Sequence, residues 1–114
     1  MREPARVRAE NEDEYQPYCT EGTDPGEIQL IRQRASDGET ALFVGLYRCA
    51  EAFSGTTTYE HDESFYVLSG EASVSITDGP ELHIGPGEMA TFKAGSSCAY
   101  TQSASFKKFF VING

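Results

Sequence analysis

The chain has 114 residues, 39% hydrophobic and 24% charged, with a formal net charge of −9. That length predicts one domain with a single core and no need of staples. The acidic balance repels phosphate backbones and so argues against nucleic acid and anionic membranes as partners. Eight of the acids lie in residues 1–27.

Three cysteines, Cys19, Cys49 and Cys98, are too few and too odd in number for a disulfide framework, and no Cys-x-x-Cys pair occurs. Reduced thiols in a cytoplasmic protein are the expectation. No apolar run approaches the ~20 residues of a membrane span, and the N-terminal residues lack the apolar segment of a signal peptide.

In chain order, residues 1–25 are read as an extended N-terminal arm, broken by Pro4, Pro17, Gly22 and Pro25, with Tyr15 and Tyr18 available to lie against the domain. From residue 27 the pattern becomes strand after strand. Strands are expected over 27–35 and 40–49, separated by a Ser36-Asp37-Gly38 turn. A short apolar run covers 65–68. Residues 71–77 alternate cleanly, with Ala72, Val74 and Ile76 on one face and Ser73, Ser75 and Thr77 on the other. Asp78-Gly79 is a turn signal. Further strands are expected over 82–84, 89–92, 97–102 and 106–112. No segment shows a helical repeat, so the chain is read as an all-β sandwich or barrel.

Two strings carry a resemblance. Glu63 and Gly70 stand at fixed spacing in Asp62-Glu63-Ser64-Phe65-Tyr66-Val67-Leu68-Ser69-Gly70-Glu71, and a second string joins Gly85-Pro86-Gly87-Glu88 to Lys93-Ala94-Gly95. Both resemble the paired motifs of the cupin superfamily. With Gly45-Leu46-Tyr47, Tyr100 and the terminal Phe106-Lys107-Lys108-Phe109-Phe110-Val111, the chain looks like the DUF861 or cupin_3 group. That group includes ureidoglycine aminohydrolase-like domains and ethanolamine-utilisation relatives.

The resemblance covers residues 26–113. It implies a single small jelly-roll β-barrel over 26–114 behind the 1–25 arm, and a homodimer.

The family's metal-binding histidines are mostly replaced. Their positions fall on Thr56 or Thr57, on Thr58 or Tyr59, and on Cys98, while Gln102 stands for an asparagine and Lys93 for a proline. Only the carboxylate, Glu63, is kept.

The resemblance places Glu63 inside the barrel, where it is a candidate acid or base, metal ligand, or anchor for a ligand's amine. On a regular strand Phe65 and Val67 share its face. The expected ligand pocket comprises Tyr59, Glu63, Phe65, Cys98, Tyr100 and Lys108. Lys107 and Lys108 are adjacent, so one faces in, and Lys108 matches the group's recurrent basic residue.

A divalent metal would have to use His61, Glu63 and Cys98. His83 is read as a surface residue. No nucleophilic triad emerges.

Three functions compete. The first and favoured one is a barrel that binds a small polar metabolite without the standard metal. The others are a metal-dependent cupin hydrolase acting on a ureide, and a non-catalytic structural or partner-binding barrel.

Overall fold

The computed structural model describes residues 6–18, 24–34 and 42–113. Its strands in chain order are β1 (Gln16–Pro17), β2 (Glu27–Arg34), β3 (Leu42–Cys49), β4 (Phe53–Thr58), β5 (Asp62–Ser69), β6 (Ala72–Ile76), β7 (Glu81–Ile84), β8 (Met89–Phe92), β9 (Ser97–Gln102) and β10 (Phe106–Asn113). Among the described residues there is no helix. The strands form a six-stranded sheet, β1-β2-β3-β10-β5-β8, and a four-stranded sheet, β4-β9-β6-β7. Every pairing is antiparallel.

The period-two pattern of β6 is realised in the packing: Ala72 and Val74 are buried while Ser75 faces water. Opposite them, β5 buries Phe65 and Val67 and exposes Ser64 and Tyr66. Phe106, Phe110, Phe92 and Ile84 complete one core between the two sheets. Burying each of these side chains stabilises the fold by roughly 1.5–3 kcal/mol.

The expected closed barrel is corrected to two separate ladders. The chain passes between the sheets at loops rather than within continuous strands, among them residues 59–61 between β4 and β5 and residues 70–71 between β5 and β6. Gly70 makes the second corner with φ +79°, and a Cβ there would come within 2.9 Å of the Phe106 backbone.

Two other expectations shift. β4 was not expected, because Phe53-Ser54-Gly55-Thr56-Thr57-Thr58 offers no apolar alternation; its pairing with β9 along its whole length makes it a strand. β5 begins at Asp62 rather than Phe65, so Glu63 is within it. The Ser36-Asp37-Gly38 turn lies outside the described residues.

The described part of the N-terminal segment is tied to the larger sheet. β1 pairs with β2, and the Asn11 amide donates to Gln29 Oε1 at 3.0 Å. The Arg48 guanidinium lies 3.8 Å above the Tyr15 ring and pairs with Glu12 and Glu27. The Tyr18 ring meets the Tyr47 ring edge-on at 5.7 Å.

Candidate functional site

A cavity of about 230 Å³ opens between the sheets, and Glu63 of β5 and Lys108 of β10 face each other inside it. Their charged groups are 3.1 Å apart, Nζ to Oε2, with side chains only 13% and 14% exposed. Lys108 shares the inward face of β10 with the buried Phe106 and Phe110, and a β-bulge in β5 sets its height against that strand. Between Lys107 and Lys108 the register of β10 on β5 slips, leaving Leu68 as the extra residue on β5. The slip sets Lys108 level with Val67 on β5, while on the other side it pairs in regular register with Tyr47 of β3. From there its ammonium lies over the Phe65 ring, Nζ 4.5 Å from the centroid, where it meets Glu63. The rings of Tyr47 at 5.3 Å and Tyr100 at 6.0 Å complete an aromatic surround for the ammonium. Lys107 points the other way, with Nζ 5.9 Å from the Tyr15 ring.

The opposite wall comes from β4 and β9. Thr57 and Tyr59 line it, as do Tyr100 and Gln102. Tyr59 stacks on Phe92 at 5.0 Å, and its hydroxyl lies beside the Cys98 thiol. Burial pushes the Tyr59 hydroxyl well above the ordinary phenol range, and the Glu63 carboxylate adds to the shift. Tyr100 is shifted upward by the same two causes in the same order. Burial likewise pushes the Cys98 thiol up, partly opposed by the Tyr59 hydroxyl.

At the far end Tyr47 is raised by burial and by its hydrogen bond to Asp24. Gly26 allows this contact, since any Cβ there would collide with the Tyr47 ring. The three phenols thus hold their protons, and Cys98 is a poor nucleophile at neutral pH.

The candidate residues fall into three groups. Tyr59, Glu63, Tyr100 and Lys108 line the cavity together. Phe65 and Cys98, expected in the pocket, do not line it: the Phe65 ring lies under the Lys108 ammonium, and Cys98 is buried beside Tyr59. His61 sits half-buried in the bend before β5 and does not line the cavity, while His83 is exposed between Ser73 and Glu81.

Sequence reasoning did not place Asp24, Tyr47, Thr57 or Gln102 in the pocket. Gln102, at the family's asparagine position, and Tyr47, in the Gly-Leu-Tyr string, carried the available signals.

The donor set does not fit a transition metal. Of the two registers the first motif allows, the one that lines the cavity runs through Thr57 and Tyr59, which with Glu63 and Cys98 offers one carboxylate, one thiol and two hydroxyls. The carboxylate is already paired with Lys108. Among the described residues no three His, Cys, Asp or Glu side chains gather to hold an ion, and His61, Glu63 and Cys98 form no such group.

Two facing antiparallel sheets around a motif carboxylate define a cupin. More particularly, the chain belongs to the cupin_3 family, the EutQ-like cupin domain, which matches residues 50–110. No curated protein matches it.

Among solved structures, a protein of unknown function from Rhizobium leguminosarum bv. viciae is 26% identical, with 76% of this chain and 79% of that one covered and a TM-score of 0.61. A DUF861 family protein from Thermotoga maritima is 25% identical over 57% of this chain and 73% of its own, with a TM-score of 0.53. KdgF from Halomonas sp. is 13% identical yet covers 99% of this chain and 93% of its own at a TM-score of 0.67, a likeness of fold alone.

Proposed function

We propose that this cupin domain binds a small polar metabolite in the cavity between its sheets, anchored by the Glu63–Lys108 pair and without the family's standard metal. The observation that carries this reading is an ion pair of 3.1 Å, largely withdrawn from water, on the wall of a cavity of about 230 Å³. Such a pair costs desolvation that its mutual attraction only partly offsets. Exposing it to an occupant with both donor and acceptor groups gives the two charges further partners. Aromatic walls with a few converging polar groups are the usual make-up of a ligand site.

A thermal-shift screen of polar metabolites tests the reading. A ligand at a hundred times its dissociation constant raises stability by about 2.7 kcal/mol. Glu63→Gln and Lys108→Met should each abolish the shift. A metabolite that stabilises both variants as it does the parent would sink the assignment. Stoichiometric Mn, Fe, Ni or Zn in protein purified without chelators would sink its metal-free part.

The same reading includes a homodimer in the cytoplasm. The outer face of the larger sheet supports self-association. There Met89 is 76% exposed, and with Tyr66, Phe109 and Val111 it forms an apolar patch that carries no charge. Met89→Glu should turn a dimer into a monomer in sedimentation equilibrium; a parent that sediments as a monomer removes the idea. The buried free thiols of Cys49 and Cys98 accord with a reducing compartment.

A further inference from the structure

Asp24 sits at the outer end of a hydrogen-bond chain that reaches into the cavity. Its Oδ1 accepts from the Gly26 N–H at 2.8 Å and from the Tyr47 hydroxyl at 2.7 Å. An ionised carboxylate has no hydrogen to give, so the Tyr47 proton is committed to it. The Tyr47 oxygen must then accept from its other neighbour, and Gln102 Nε2 donates to it at 3.0 Å.

With its amide nitrogen held there, Gln102 turns its carbonyl oxygen to Tyr100, whose hydroxyl donates at 2.7 Å. Gln102 is 1% exposed, which leaves its amide no competing water. The two ends of a glutamine amide are easily confused, but here the carboxylate decides which way round it lies. Each link is forced by the one before it, from the acid inward.

Resting on the binding reading of this same cavity, we infer that Tyr100 shows its occupant lone pairs only, so that the ligand must place an N–H or O–H donor against it. A free phenol accepts either polarity; this one has its single hydrogen turned away. Lys108 supplies the complementary requirement. Its Nζ stands 6.0 Å from the Tyr100 ring centroid and carries only donors.

The occupant is therefore a compact molecule with an N–H or O–H close to a carbonyl oxygen, the amide and lactam class. Molecules that offer acceptors at both places are rejected. Tyr100 and Gln102 are specificity-determining residues, and Asp24 acts through them.

A lactam and a lactone of one shape test this: 2-pyrrolidinone has the N–H, and γ-butyrolactone has an ether oxygen in its place. Titrated into the full-length protein and followed by NMR of cavity methyl and ring resonances, the lactam should bind at least about tenfold more tightly, the usual scale for leaving one buried acceptor unpaired. Tyr100→Phe, which keeps the ring, should bring the two affinities together.

A readout that needs no ligand accompanies it. The Gln102 side-chain amide protons should show their strong nuclear Overhauser contacts to the Tyr47 ring and weaker ones to Tyr100. The reverse pattern overturns the inference outright. Equal affinities, or a preference for the lactone, with the cavity resonances shifting, overturn it while leaving the binding reading intact. No shift of those resonances with either fragment overturns the binding reading and this inference together.

Discussion

Lys108 reaches past the Phe65 ring to meet Glu63, although the strand register pairs Lys108 with Val67 and Glu63 with Ile112. The contact is therefore diagonal, made by a long side chain lying along the sheet. Removing either partner leaves a poorly hydrated charge behind. Lys108→Met should destabilise the protein by about 3 kcal/mol, the lower end for a broken buried pair. The double variant Glu63→Gln/Lys108→Met should recover most of that loss. Urea denaturation of the four proteins of the cycle measures the coupling, and additive losses would show that the two charges do not interact.

The three cavity phenols link stability to alkaline pH. Each has its folded value raised above 10.0, chiefly by burial. A protonated phenol is thus favoured in the folded state. Its contribution is fully present below the unfolded value of about 10 and is lost as pH rises from there toward the folded values. Unfolding free energy should fall steeply above pH ~10, and Tyr59→Phe should make the fall shallower. A flat profile from neutral pH through that range would contradict the burial of these hydroxyls.

Cys98 should resist alkylation. The residue is 2% exposed, and burial raises its thiol above the ordinary cysteine range. In native protein at pH 8, peptide mapping after iodoacetamide should find Cys98 unmodified. Adding denaturant should label it within minutes. Rapid native labelling would place the thiol in water.

Gly26 and Gly70 should not tolerate alanine, for different reasons. At Gly26 a methyl group meets the Tyr47 ring and pushes that phenol away from Asp24. Freeing one buried hydroxyl costs about 1–3 kcal/mol, and the loss should appear as reduced ligand binding as well as reduced stability. At Gly70 the penalty is the left-handed backbone plus the approach to Phe106, and it should appear in stability alone. Thermal melts and the fragment titration together separate the two.

Among the described residues Phe106 is the largest fully buried side chain, packed beside Tyr47 at a centroid distance of 6.2 Å. Phe106→Ala should cost about 3–5 kcal/mol by denaturant titration. A loss under 1 kcal/mol would show that the sheets close over the gap.

Much of the strand pattern was legible beforehand because β6 and β5 must bury every second residue, and Ala72, Val74, Phe65 and Val67 are written at that period. β4 was not legible. Its outward Ser54 and Thr58 bond Thr101 and Ser97 across the ladder, a reason for polar residues that appears only once β9 lies beside it. The closed barrel was the wrong limit of the same pattern, since alternation tells which side chains face inward but not whether the last strands of two sheets bond.

Local order along the chain was enough to give an all-β class and to put Glu63, Phe65 and Val67 on one face, because a strand's period is a property of neighbouring residues; the cupin reading rested on the resemblance of its two motif strings. The resemblance gathered Tyr59, Glu63, Tyr100 and Lys108 into one pocket, but which groups bond across it was decided by the tertiary structure. The bulge at Leu68 sets Lys108 level with Val67, and the row from Asp24 through Tyr47 and Gln102 to Tyr100 joins a loop, β3 and β9. Contacts between segments so far apart in the chain depend on register and sheet packing, and short-range spacing carries no record of either.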